Sequence, residues 1–417
     1  MNNEENIGEE EKKNKRKKIQ DKFPWDKFEF FVDQFKKPCA ALKVDNHLEV
    51  YRTSSDTLKA IIASELARMK TSATAENISI IKGLMEAKAY DYYRSRGEVS
   101  LNLRTRIIGN NKIAIDLGDN KWNIAVISKQ GYEIKPMQEP YFIRYNTTAR
   151  FSVDETGTQQ DFDAYLSLIN LQEYSDIIKA WTLSALIPGY PHFILMLLGT
   201  KGSGKSTATT LLKQLIDPSP IGAIGRPHNQ DSLFLALAHS YVVAFDNVDS
   251  IGESFASDLA RAVTGEGNQR RKLYTDEDDM LFRFKRIIIL NGINQPTRRA
   301  DLLNRTLIFE LENIPPDKRK PESDINEQVA RLAPKVRGFI IKTIPKVIQQ
   351  YIIVKKELTL LPRMADSTIW LEAAGRALGY EKGHIYNRLM SFLESEDKSV
   401  LESSELGQLV IEAIESY

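Results

Sequence analysis

Cysteine is nearly absent. The 417 residues contain one, Cys39, which excludes an intramolecular disulfide framework and a Cys-rich zinc site. Histidine is scarce too, five residues with no close pair, so a His-based metal centre has little material to draw on. No run of about 18 apolar residues occurs, and no transmembrane helix is expected. The N-terminus, Met1-Asn2-Asn3-Glu4-Glu5, lacks the apolar segment of a secretory signal. The expected compartment is the cytoplasm, with no membrane partner. An excess of either charge is missing as well. The 57 Lys+Arg against 56 Asp+Glu leave a formal net charge of +1, so any nucleic-acid contact must come from local patches. What is present, 42% hydrophobic and 27% charged residues, suits a soluble globular chain with a sizeable core. The length predicts about two to four domains.

Residues 1–22 are almost entirely polar or charged and are expected to form a disordered tail. Its run KKNKRKK, Lys12–Lys18, reads as solvated in preference to a nucleic-acid-binding arm. Order is expected from Phe23-Pro24-Trp25. The aromatics Phe28, Phe30, Phe31 and Phe35 read as packing on the next domain rather than binding a base. Apolar spacing predicts helices over Thr57–Met69 and Ala75–Arg94, the second stopped by Gly97. Val99, Leu101, Leu103 and Ile107 alternate with Ser100, Asn102, Arg104 and Arg106, the pattern of a half-buried strand. KIAIDL (112–117) and KWNIAVI (121–127) flank Gly118-Asp119-Asn120, a hairpin turn. Residues 23–155 are therefore expected as a small α+β domain, and Asp154–Gln160 as a linker. Residues 161–314 alternate helix and strand as a parallel α/β ATPase does. Residues 325–417 read as helices: Ile325–Leu332, Val336–Tyr351, Met364–Leu378, Gly383–Leu393 and Val400–Ser416.

The most specific signal lies at 193–207. The apolar strand Phe193–Leu198 runs into Gly199-Thr200-Lys201-Gly202-Ser203-Gly204-Lys205-Ser206-Thr207 and then a helix. This fits G-x-x-x-x-G-K-[ST] between the strand and helix it requires. Glycines let successive N–H groups curl inward onto phosphate oxygens, and the helix N-terminus adds partial positive charge. Lys205 would reach the β- and γ-phosphates of ATP, and Ser206 would ligate Mg²⁺. A purely structural glycine turn is the plain alternative, and the flanking elements argue against it.

A second apolar strand, Tyr241–Phe245, ends in Asp246, placed to join Ser206 at the Mg²⁺. The next residue is Asn247, which cannot accept a proton at neutral pH. Its reading is to position water, or else Asp249 approaches. A third strand, Ile287–Leu290, ends in Asn291, placed for the attacking water or the γ-phosphate. Arg299 and Arg305 then precede the strand Thr306–Phe309. Guanidiniums there could stabilise charge on a transferring phosphoryl group, against the plainer reading of a surface ion-pair cluster using Asp301.

The order of these motifs resembles that of AAA+ ATPases. LLGTKGSGKST, VVAFDNVDSI, SDLARAVTGEGNQRRKLYTDED, KRIIILNGI, RADLLNRTLIFEL and LPRMADSTIWLEAAGRALGY, with KIAIDLGDNKWNIAVI upstream, are similar to one branch. These are the helicase modules of phage, plasmid and mobile-element replication proteins, of primase-helicase type, related to superfamily 3 and minichromosome-maintenance helicases. The resemblance covers roughly residues 90–395. It implies an AAA+ P-loop core with a parallel sheet, behind a small α+β collar or DNA-entry domain and ahead of an all-helical lid over 325–417. It further implies ATP and Mg²⁺ as cofactors, a homo-oligomer, typically a hexamer, and translocation on single-stranded DNA by ATP hydrolysis. Lys205 and Ser206 match the Walker A pair, Asp246 the Walker B acid, Asn291 sensor 1, and Arg305, with Arg299 as second choice, the arginine finger.

No polymerase or primase precedes residue 90, so the resemblance assigns priming to a separate primase or polymerase. The sequence ends soon after the LPRMADS helix, where relatives can continue into a DNA-binding winged helix. In such rings a hairpin before the sensor strand grips DNA. Here Gln269–Thr275 and Met280–Phe284 would form it, with an acidic tip. Its basic triple Arg270-Arg271-Lys272 faces either the channel DNA or the subunit interface. The competing function is a non-helicase AAA+ switch, a loader, initiator or protein remodeller that binds DNA without unwinding it.

Overall fold

The computed structural model describes residues 19–265, 268–271, 279–282, 285–295, 297 and 299–402. The tail 1–18, the hairpin tip with Lys272, and most of the helix expected over Val400–Ser416 lie outside them. The chain divides into two compact units.

The first unit comprises residues up to Leu103 together with Asn120–Asn123 and Pro136–Arg144. Residues 19–22, expected within the polar tail, are helical (α1), and Ile19 is buried. An antiparallel sheet follows, β1 (Phe28–Val32), β2 (Pro38–Val44) and β3 (His47–Arg52), with Phe28 opposite Leu42 and Val44 opposite His47. Sequence periodicity does not reveal these strands, because Cys39–Leu42 is buried at every position instead of alternating. Helices α2 (Asp56–Arg68) and α3 (Ala75–Arg96) begin where the sequence indicates. Ser55 and Thr74 accept hydrogen bonds from Leu58 N and Asn77 N, satisfying first-turn donors. The core joins Phe23, Phe28, Leu42, Leu58, Ile62 and Met85. Of the aromatics expected to pack on another domain, Phe28 belongs to this unit's own core and Phe30 packs against it.

The second unit holds the rest. Its first sheet runs β4 (Thr105–Ile108), β5 (Lys112–Asp116), β6 (Asn123–Ser128), β7 (Gly131–Pro136) in that order. The expected hairpin is present, with Ile113 opposite Ile127. This sheet, expected in the N-terminal domain, groups with the second unit. The strand expected over 99–107 shrinks to β4, because Arg104 is not on a solvent face. It is 1% exposed, and its Nε donates to Asp217 Oδ1 at 3.0 Å.

The second sheet is parallel, in the order β14 (Thr306–Glu310), β8 (Ile194–Leu198), β13 (Ile287–Gly292), β10 (Val242–Asp246), β9 (Ile224–Gly225). β8 and β13 are buried throughout, as strands covered on both faces by crossover helices must be. Those helices are α4 (Gln159–Leu166), α5 (Ser175–Ala185), α6 (Lys205–Ile216), α7 (Gln230–His239), α8 (Glu253–Thr264) and the short α9 (Ala300–Leu303). The C-terminal region is α10 (Glu322–Glu357), α11 (Ala365–Ala377) and α12 (His384–Glu402).

The sequence reading has two helices here, Ile325–Leu332 and Val336–Tyr351. Instead α10 runs unbroken through Pro334 and Pro345. The expected linker lies directly on it. Asp154 N donates to Pro334 O at 2.9 Å. A Cβ on Gly338 would lie 1.9 Å from Asp154 O, and one on Gly157 1.8 Å from Lys335 O. Two glycines thus permit the crossing, and packing along α10 outweighs the backbone bonds its prolines omit. Among the described residues no helix is long and apolar enough to cross a membrane.

Candidate functional site

β8 is followed by Gly199 (φ 153°), where a Cβ would meet Leu311 O at 2.5 Å and Ser203 Oγ at 2.8 Å. Gly202 (φ 87°) and Gly204 (φ 80°) take left-handed conformations, and Gly204 caps α6. The result is a tight loop feeding a helix N-terminus. Lys205, 8% exposed, reaches back so that Nζ donates to Thr200 O at 2.8 Å. Burial pulls its pKa below that of an ordinary lysine, against the carboxylates of Asp246 and Asp249. Ser203 Oγ is buried with no hydrogen-bond partner among the described residues. Thr200, Lys201 and Thr207 are exposed.

Asp246 ends β10 half-buried, and Ser206 Oγ donates to its Oδ1 at 2.8 Å. Asn247 turns into the left-handed region (φ 54°), and its N–H donates to Asn291 Oδ1 at 3.1 Å. Asn291 is 1% exposed. Its Nδ2 donates to Thr209 Oγ1 at 2.9 Å, and its carbonyl accepts Val248 N at 2.8 Å. One asparagine therefore joins α6, β13 and the turn after β10. Asp249 is exposed. Among the described residues no three His, Cys, Asp or Glu side chains converge as a metal cluster. A hydroxyl and a carboxylate on their own fit Mg²⁺, which retains several waters and takes phosphate oxygens.

The far end of α6 is fixed as firmly. Asp217 Oδ2 accepts Tyr241 N and Val242 N, each at 3.0 Å, and Oδ1 accepts Arg104 Nε. Burial raises the Asp217 pKa, but Arg104, Lys213 and the Val242 N–H outweigh it and hold the carboxyl below the usual range. Arg337, from α10, donates to Leu215 O and Gln214 O, satisfying carbonyls at the end of α6. The helix carrying Lys205 and Ser206 and the strand carrying Asp246 are thereby aligned by one buried carboxylate.

The two candidate fingers differ. Arg299 is committed within its own chain. It pairs with Asp301 at 3.1 and 3.2 Å and donates to Glu253 O and Ser257 Oγ. Arg305 lies at the start of β14, 8% exposed, with Nη1 donating to Asp301 O at 2.9 Å. It lines a pocket of about 180 Å³ together with Arg363 and Asp366. The structure does not bring Arg305 or Arg299 to the glycine loop. Arg270 and Arg271 lie on β11 (Asn268–Arg271), paired antiparallel with β12 (Asp279–Phe282), so that Arg270 is opposite Met280.

The family described as the actinomycete integrative conjugative element replication protein, AICE_RepA, matches residues 162–379, more than half of the chain. The chain belongs to this family. The likeness expected from the motifs, to a helicase module of mobile-element replication proteins, is borne out. Among solved structures the chain is similar to SCCmec type IV Cch, described as an active helicase. The TM-score is 0.50 at 11% identity, covering 93% of this chain and 77% of that one. It is also similar to the apo C-terminal region of NrS-1, at TM-score 0.45 and 12% identity, covering 93% and 80%. At 11% identity the Cch likeness shows a shared fold. No curated protein matches the chain.

Two residues of this replication-protein chain lie at the site without having stood out in the sequence, and a third lies beside Arg305. Thr209 holds Asn291 and is four residues, about one helical turn, beyond Lys205, which is the signal that would have found it. Asn170 donates to Ser203 O at 3.2 Å and Glu312 O at 2.6 Å, tying the glycine loop to the segment after β14. A lone Asn before a helix carries no sequence signal for that. Arg363 belongs to LPRMADS, and only the fold brings it to Arg305.

Proposed function

We propose that the chain is the ATP-dependent DNA helicase of a mobile-element replication system, a ring-forming AAA+ ATPase that translocates on single-stranded DNA. The observation that carries this is the 2.8 Å hydrogen bond from Ser206 to Asp246, with Lys205 at the same helix start. A hydroxyl on the glycine loop and an acid on a separate strand meet where a nucleotide's phosphates would sit. The strand order supports it. Numbered from β8, and leaving out the hairpin strands β11 and β12, the parallel sheet runs 5-1-4-3-2. Ser206 and Asp246 then stand at the carboxyl ends of strands 1 and 3, where α/β sheets bind ligands.

In this reading the loop amides receive the phosphates, and Lys205 exchanges Thr200 O for a phosphate oxygen. Ser206 and Asp246 would hold Mg²⁺, which neutralises phosphate charge when bound. Asn247 orients water without taking its proton, and Asn291 holds Asn247 in place. Arg305 completes a neighbouring subunit's site, with Arg299 as second choice. Arg363 stands beside Arg305 as a second cation. The basic triple 270–272 serves DNA or the interface, and a separate enzyme primes.

Strand displacement with and without ATP tests this. Lys205→Ala should lose ATP hydrolysis and unwinding together, because the γ-phosphate loses its main point charge. Near-normal turnover in that variant overturns the assignment. ATP hydrolysis with DNA binding but no displacement instead identifies a loader or initiator.

A further inference from the structure

After β14 the chain folds back along the glycine loop. Leu311 N donates to Leu198 O at 2.8 Å, Glu312 O accepts Asn170 Nδ2, and Ile314 N donates to Gly202 O at 3.2 Å. Ile314 also packs on the loop, its Cδ1 lying 3.1 Å from where a Cβ on Gly204 would stand. A stiff turn follows. Pro315, Pro316 and Pro321 each fix their own φ. Lys318 N donates to Pro315 O at 2.9 Å, and Arg319 Nε donates back to Ile314 O at 3.1 Å.

The Arg319 side chain is thereby laid on the glycine loop. A Cβ on Gly202 would meet Arg319 Nη2 at 2.9 Å and Asn313 Oδ1 at 3.2 Å. Arg319 is exposed, and the bond to Ile314 O is the one hydrogen bond its side chain makes among the described residues. A surface strut would use Nε alone. Both amino groups of the fork stay open, and that fork matches phosphate oxygens two at a time. They stand beside the loop whose N–H groups are read as the phosphate cradle. We infer that Arg319 binds the phosphate chain of a nucleotide held in its own subunit's glycine loop, a cation in cis where Arg305 is proposed to act in trans. The inference rests on the nucleotide reading above and adds to it a residue from outside the glycine-loop, acid and asparagine motifs.

Calorimetric titration of the full chain with Mg²⁺ and AMP-PNP, a slowly hydrolysed ATP analogue, tests it. Arg319→Ala removes an exposed side chain bonded only to backbone and should melt like the wild type. Its Kd should nevertheless rise about tenfold or more, the scale of a charged hydrogen bond. Arg319→Gln can still donate to Ile314 O but carries no charge, and should bind as weakly as Arg319→Ala. Arg319→Lys, charged but without the fork, should fall between them and the wild type. A wild-type Kd in Arg319→Ala overturns the inference. So does a wild-type Kd in Arg319→Gln, which would leave Arg319 as a strut. Mixing Arg319→Ala with Lys205→Ala separates cis from trans. In cis, every subunit lacks one group of its own site, so ATPase activity should not exceed the sum of the two variants. Activity above that sum would move Arg319 to a neighbour's site and overturn the inference. The nucleotide reading fails differently. A wild type that binds no AMP-PNP, or near-normal hydrolysis in Lys205→Ala, removes that reading and this inference with it. Hydrolysis lost in Lys205→Ala beside unchanged binding in Arg319→Ala removes this inference alone.

Discussion

Asn247 stands at φ 54°, a conformation that Asn and Asp adopt more readily than other non-glycine residues, and its N–H is held by Asn291. The backbone at this point is thus set independently of whether the side chain is amide or acid. If the side chain only positions water, Asn247→Asp should keep measurable ATPase activity, with the turn unchanged. Asp246→Asn should lose Mg²⁺-dependent hydrolysis, because the carboxylate facing Ser206 is gone. Steady-state ATPase at varied Mg²⁺ checks both. A dead Asn247→Asp together with a dead Asp249→Ala would assign water activation to a network beyond these residues. Asn291→Ala should reduce kcat more than it raises KM for ATP. It releases Asn247 and Thr209 while leaving the glycine loop and Lys205 in place, and a KM effect alone would overturn that role.

At the scale of elements, Gly338 offers a clean test because two principles oppose each other there. In a free helix Gly→Ala gains about 1 kcal/mol. Here the new Cβ would sit 1.9 Å from Asp154 O, a backbone atom with little room to retreat. Gly338→Ala should therefore destabilise by about 1–3 kcal/mol, seen as a lower melting temperature. A rise would mean that the 154–157 segment does not cross α10 closely. The same crossing shows what the sequence carries and what it withholds. The glycine loop, the three apolar strands with polar tips and helices α2 and α3 were legible, because each is written in a contiguous pattern. The unbroken α10 was not, since its continuity depends on packing by a segment some 180 residues away in sequence. Nor were β1 to β3, whose central strand is buried without alternation from Cys39 to Leu42, or the burial of Arg104. Its alternation looks like a solvent face until Asp217 is folded against it. The core of the candidate site was readable as residues. Its connections through Thr209, Asn170 and Asp217 exist only in three dimensions.

For the whole molecule, the position of Arg305 bears on how many chains the proposed active site would need. It precedes β14, whereas Lys205 and Asp246 stand at the opposite, carboxyl ends of the parallel strands. In the proposed reading Arg305, before the first residue of β14, would therefore serve a phosphate on a neighbour. Arg299, tied to Asp301 and Glu253, is poorly placed to replace it. Arg305→Ala should then bind ATP but hydrolyse it poorly, a finger of this kind being worth about 10³–10⁵ in turnover. Mixing gives the stronger test. Each Arg305→Ala subunit keeps an intact loop, and a Lys205→Ala neighbour can lend it Arg305. Mixed assemblies should recover part of the ATPase activity that neither variant has alone. Recovery should grow with the fraction of mixed contacts. Demonstrated subunit exchange without recovery would mean that the site is completed within one chain, and that the separation across the sheet is bridged by a residue other than Arg305.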